Sequence, residues 1–192
     1  RRRFQRTVAA NTYMGGLFNG SSHYFTKTSP SGALGTVTNN FTIEAYVQPT
    51  SYAVGTICGR ADAARNNGFY LRQELSGELG IVIFNGGVAN YRNIYTYQSL
   101  PLNKKTHVAI SWTSGTVVAY FDGVAVPTKA AVTGGTNPTT AGTGGDFSIG
   151  RPGAAAVEYF PGYISNVAVF DAVLSAATIR EHATRKLLGN ET

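Results

Sequence analysis

The sequence predicts an all-β fold: two antiparallel sheets packed face to face, with one short helix near the C-terminus. Three observations predict it. The first is period-two alternation in residues 100–126, where Val108, Ile110 and Trp112 alternate with Ala109, Ser111 and Thr113. Val118 and Tyr120 then alternate with Val117, Ala119 and Phe121, so both runs read as half-buried strands. Thr113-Ser114-Gly115-Thr116 joins them, and Asp122-Gly123 turns the chain again toward Val124-Ala125-Val126. Such a three-strand meander must bury one face, so the rest of the chain has to supply an opposing sheet. The second observation is composition: 23 glycines with 11% aromatic and only 14% charged residues fit many short strands joined by tight turns. The third is that one stretch alone has convincing helical periodicity.

Taken in order, Leu17 to Phe25 reads as a strand, a turn at Asn19-Gly20 and a second short strand. In Phe41 to Pro49, Phe41, Ile43, Ala45 and Val47 share one face while Thr42, Glu44, Tyr46 and Gln48 share the other, and Pro49 stops the ladder. Ile57 opens the next strand, and Arg60 to Gly68 reads as a polar loop. Phe69–Leu75 and Glu78–Phe84 flank the hairpin signal Ser76-Gly77. Tyr91, Tyr95 and Tyr97 fall on one face of the strand that follows Asn85-Gly86-Gly87. Thr133 to Gly145, almost entirely Gly, Thr, Asn, Pro and Ala, reads as a long mobile loop. Asp146–Gly150 and Tyr163–Phe170 are further strands. The helix starts at the N-cap Ser175, carries Ile179, Ala183 and Leu187 on one side, has Arg185 and Lys186 near its end, and meets Gly189 past it.

No segment repeats at a fixed period, so residues 13–192 are expected to form one domain behind a basic arm, residues 1–12. Arg1, Arg2, Arg3 and Arg6 supply four of the +6 net charges, which leaves the body nearly balanced. The arm is expected to be a solvated terminus or processing remnant, or else a contact for phosphates or an anionic surface; nucleic acid is not expected as a partner except through it. A twin-arginine export signal is excluded because Thr7 to Thr12 is no apolar region. The lone Cys58 rules out an internal disulfide and is expected as a buried small hydrophobe. No apolar run approaches the roughly 20 residues of a membrane helix.

Six pieces in order carry a family resemblance: Phe41–Pro49, Lys105–Ala109, Tyr120–Gly123, Phe147–Gly150, Phe160–Val167, and Phe170–Ser175 with its helix. From about Leu17 onward the chain resembles the laminin-G-like family of concanavalin A-like jelly rolls. It departs at Tyr46 and Thr106, where the family commonly has Trp. The resemblance implies a two-sheet jelly-roll β-sandwich that recognises glycans or proteins in an extracellular, cell-surface or virion setting, without catalysis. It also raises Ca²⁺ at a sheet rim, for which Asn19, Asp62, Asn66, Asp122, Asp146 and Asp171 could offer oxygens. Asp122 and Asp171 fit turn positions first, so no cofactor or metal is expected.

The residues themselves agree with a non-enzyme. A retaining glycanase needs two carboxylates about 5–5.5 Å apart, yet Glu44 has Tyr46 two positions on, Glu74 has Ser76 and Glu78 has Gly80. His23, His107 and His182 lack partners that would mark a triad or a zinc site. For ligand binding the best cluster is Tyr91, Arg92, Tyr95 and Tyr97 with Asn90 and Asn93, since sugars stack on aromatic rings while amides and guanidinium groups bond hydroxyls. The alternative is that these tyrosines simply cover a sheet. Arg65, Asn66 and Asn67 form a second candidate. Two functions follow: a glycan-binding or adhesion module of a cell-surface, secreted or phage-tail protein, or a structural virion component working through protein contacts in a homo-oligomer or larger assembly.

Overall fold

A computed structural model describes residues 15–62, 64–87, 89–135, 141–153 and 157–187. The strands are β1 (Gly16–Asn19), β2 (Phe25–Lys27), β3 (Asn40–Pro49), β4 (Gly55–Ala61), β5 (Gly68–Gln73), β6 (Glu78–Phe84), β7 (Tyr91–Ser99), β8 (Thr106–Thr113), β9 (Thr116–Phe121), β10 (Val124–Val126), β11 (Val132–Gly134), β12 (Asp146–Ile149) and β13 (Pro161–Phe170). Two helices join them, α1 (Ala33–Thr36) and α2 (Ala176–Leu187). One sheet has the order β1-β13-β3-β8-β9-β10 and the other β11-β7-β6-β5-β4-β12-β2, each antiparallel throughout. This is the expected double-layered β-sandwich. Its core lies between the sheets, as alternation demands.

The predicted faces are the observed ones. Phe41, Ile43, Ala45 and Val47 of β3 and Val108, Ile110 and Trp112 of β8 all enter the core. Across the gap they meet Phe69 and Leu71 of β5, Leu79, Ile81 and Ile83 of β6 and Ile94 of β7. The Phe41 ring packs 5.1 Å from Phe69 and 6.2 Å from Trp112, and each such pair adds about 0.5–1.5 kcal/mol beyond burial. The meander turns where glycine and aspartate permit left-handed backbone: Ser114 and Gly115 have φ of 43° and 94°, and Asp122 and Gly123 have 48° and 78°. Asp122 also accepts the His107 N–H at 2.9 Å, so this turn is tied to β8. Cys58 is buried in the core, and burial pushes its thiol up.

The strand, turn and short strand expected over Leu17 to Phe25 stand, and they fall in different sheets: Asn19 Oδ1 accepts the N–H groups of Ser21, Ser22 and His23, turning the chain from one sheet to the other. Other expectations are corrected. The polar loop is shorter than read, because Arg60 and Ala61 continue β4 opposite Phe69 and Gly68. A strand can hold an inward arginine when two carbonyls and an aromatic ring receive it. A second helix, the one-turn α1, follows Gly32 at φ 59°. Of the long glycine- and threonine-rich loop, Thr133 and Gly134 lie in β11, residues 136–140 fall outside the described residues, and Ala141 and Gly142 donate to Thr38 O and Phe84 O. The helix cap is as read, with Ser175 Oγ accepting the Thr178 N–H at 3.1 Å. Ile179 and Ala183 are buried, while the side chains of Arg185, Lys186 and Leu187, together with Gly189 and the basic arm, lie outside the described residues.

Candidate functional site

Each sheet has an outer face, and among the described residues only one is roofed by a helix. Over the six-stranded sheet α2 lays Ile179 against Ala109 and Tyr120. The Tyr46 hydroxyl donates to Ala183 O at 2.6 Å, and Glu44 Oε2 meets His182 Nδ1 at 2.8 Å. Burial, with Asp122 and Glu44 nearby, pushes Tyr46 up to about 12. Beyond the helix, Tyr46, Gln48, Lys105, Tyr163 and Ser165 line a cavity of 280 Å³.

The outer face of the seven-stranded sheet carries most of the sequence-predicted residues. Register places Phe84 beside Tyr91 and Tyr95 beside Gly80. Gly80 is needed there, because a Cβ would lie 2.5 Å from the Tyr95 ring. Tyr70 and Phe84 pack at a tilt of 56° across β5 and β6 with centroids 5.3 Å apart, and Tyr91 extends that aromatic row onto β7, its ring resting on Gly134. Tyr97, 63% exposed, stands within a β-bulge, with Lys129 Nζ 5.9 Å from its ring. Lys129 also bonds Glu78 Oε1 at 2.5 Å.

Through this face runs a polar belt that the sequence did not reveal. Arg72 Nε donates to Glu74 Oε1 at 2.5 Å, its Nη2 donates to the Tyr95 hydroxyl at 3.1 Å, and its Nη1 lies 3.6 Å from Glu158 Oε2. Glu158 Oε1 in turn accepts from Arg65 at 3.0 Å. Burial alone would lower Arg72, but Glu74, Tyr95 and Glu158 together raise it. Burial likewise raises Tyr95, with Arg72 opposing and Glu74 reinforcing, so its phenol stays protonated and keeps both hydrogen-bonding roles. Tyr70, Arg72 and Glu74 alternate in sequence, and period two could have flagged them as one face. Glu158 could not have been found that way, because it reaches Arg65 across 93 positions.

Arg92 does not join the tyrosines. It points to the inner side of β7, with its guanidinium carbon 6.0 Å from the Trp112 ring, because neighbouring strand residues alternate faces. Asn66 and Asn67 sit in the turn after β4. Asn67 donates to Asp62 Oδ2 at 3.0 Å and accepts from the Gly86 N–H at 3.0 Å, while the Asn66 N–H bonds Asp62 Oδ1 at 2.7 Å. They brace two adjoining turns. Among the described residues no three His, Cys, Asp or Glu side chains gather as metal ligands would, and no helix is long and apolar enough to cross a membrane.

Three solved structures share the architecture. The CBM40 of the Ruminococcus gnavus IT-sialidase, bound to α2,3-sialyllactose, superposes with a TM-score of 0.64 at 14% identity, over 90% of this chain and 100% of that one. The heptameric SAP-like pentraxin of Limulus polyphemus gives 0.63 at 18%, over 90% and 82%. Domain 4 of AbnA, a GH43 extracellular arabinanase from Geobacillus stearothermophilus in complex with arabinotriose, gives 0.60 at 18%, over 90% and 89%. No curated protein sequence matches. The family model Laminin_G_3, of the concanavalin A-like lectin/glucanases superfamily, matches residues 19–180, and the chain belongs to that family.

Proposed function

We propose that the chain is a non-catalytic glycan-binding module whose ligand lies on the outer face of the seven-stranded sheet. One observation carries the reading: Tyr95, on the same strand as Tyr91 and Tyr97, bonds the Arg65–Glu158–Arg72 belt on the outer face of this sheet. Aromatic rings offer stacking surfaces for sugar C–H groups, and a fixed belt of donors and acceptors offers partners for hydroxyls. Two similar structures contain oligosaccharides, which supports the same class of ligand. The belt does bring Glu74 and Glu158 to one arginine, but each carboxylate is engaged in an ion pair. That favours positioning over proton transfer, and release of reducing ends from a bound glycan would refute it. The direct test is a glycan array with the full chain. Selective binding to one sugar class supports the proposal, and a flat response across all classes counts against it.

A second reading, assembly through protein contacts as in a virion or adhesive surface, draws on the sheet edges. Each of the four edge strands exposes a large apolar residue: Leu17 on β1, Val124 on β10, Val132 on β11 and Phe25 on β2, all more than half exposed. Such edges are usually blunted. Sedimentation decides, since a monomer at all concentrations removes self-assembly.

A further inference from the structure

One of the three strand arginines of the seven-stranded sheet lies in an unusual place. Arg60 of β4 points inward and is fully buried. Its Nη2 uses both hydrogens on main-chain carbonyls, Val37 O at 3.1 Å and Gly142 O at 2.9 Å. The Phe69 ring lies 5.6 Å from the guanidinium carbon. Among the described residues Nε and Nη1 have no hydrogen-bond partner, so three of the five N–H donors are unsatisfied there. Among the described residues no carboxylate lies within ion-pair distance of Arg60. A buried cation without a counter-ion is costly, and natural interiors rarely keep one unpaired.

Arg60 also lines a cavity of 260 Å³ at the end of the sandwich, together with Ser29, Pro30, Gly35, the Gly144-Gly145 pair and Asp146. Glycines form much of the wall. Gly144 has φ 106° and nothing within 4 Å of its Cβ position, so this part of the wall has room to shift. One lining group opposes a negative guest: Asp146, whose Oδ1 lies 3.4 Å from the Ser29 N–H.

We propose that Arg60 and this cavity bind a small oxyanion group, a carboxylate, phosphate or sulfate. The unsatisfied guanidinium donors match such a group in charge and geometry. The site lies on the inward side of the sheet that carries the tyrosines, and it does not depend on the glycan reading. Burial lowers the Arg60 guanidinium from its ordinary value, as it must where no carboxylate compensates. The oxyanion has two sources, a free anion or the acidic substituent of a sugar.

Calorimetric titration of the full chain with phosphate, acetate and glucuronate at constant ionic strength tests this. Saturable one-site binding of at least one anion is expected, weakened at least tenfold in Arg60→Met. Glucuronate binding more tightly than acetate assigns the site to acidic sugars, and phosphate binding best assigns it to a free anion. Should Arg60→Met fail to fold, Asp146→Asn provides the reading, since removing the opposing charge is expected to tighten binding several-fold. No saturable binding of any of the three, equal binding in Arg60→Met, or no gain in Asp146→Asn would overturn the assignment.

Discussion

The two sheets differ in what covers their outward residues: α2 roofs the six-stranded sheet, whereas on the seven-stranded sheet Tyr70 and Val82 are buried and exposure is concentrated on β7, at Tyr97 above all. Over the six-stranded sheet, α2 consumes the outward residues: Tyr46 and Glu44 bond the helix, and Ala109 and Tyr120 pack against Ile179. Over the seven-stranded sheet, outward tyrosines and arginines bond one another laterally, and Tyr97 remains 63% exposed. Outward aromatic residues on a strand therefore mean different things according to what covers them. A tyrosine under a helix is architecture, whereas the proposed recognition surface lies beside a polar belt.

The roof can be loosened first. Ile179→Ala removes a fully buried side chain between α2 and the sheet, and it is expected to cost about 2–5 kcal/mol in urea unfolding. Glycan affinity at fixed temperature should not change, because the ligand face is on the other sheet. The open face can then be disturbed without touching the roof. Gly80→Ala places a Cβ against the Tyr95 ring, which must move, so we expect a stability loss of about 1–3 kcal/mol and a clear fall in affinity. An unchanged affinity would separate Tyr95 from the ligand.

Alkaline titration sharpens the contrast further. Tyr46 is pushed from 10.0 to about 12 in the folded chain, so above pH 10 the unfolded chain holds fewer protons on this group than the folded one. Stability is thus fully present below about pH 10 and falls as pH rises toward 12. In Tyr46→Phe that decline should be shallower, with Tyr70, also raised by burial, supplying part of what remains. The smallest effect belongs to Arg65 and Glu158. Their partly exposed pair is expected to couple by about 0.2–1 kcal/mol in a double-mutant cycle.

What the sequence made legible follows from period two. The core faces of β3 and β8, both glycine turns of the meander and the Ser175 cap rest on local rules, and each stands in the structure. The site was legible only in part. Tyr91 and Tyr95 share the predicted face, whereas Tyr97 falls in the β-bulge and alternation sends Arg92, expected beside them, inward. Arg60 was read into a loop because an arginine followed by Ala-Asp looks solvated, whereas its partners Val37 and Gly142 are 23 and 82 positions away. Glu158 was invisible for the same reason. Contacts of that range are set by which strands become neighbours, and local pattern does not encode it. The separation of β1 from β2 likewise depends on two distant partners, β13 and β12.

The central claim is that the unroofed sheet face binds glycan. With a sugar identified on the array, affinity should be measured by calorimetry for Tyr95→Ala, on that face, and Tyr163→Ala, which is 49% exposed and lines the cavity on the opposite sheet. The account predicts at least a tenfold loss for Tyr95→Ala and none for Tyr163→Ala. Retained affinity in Tyr95→Ala with loss in Tyr163→Ala would contradict it and move the ligand to the other sheet.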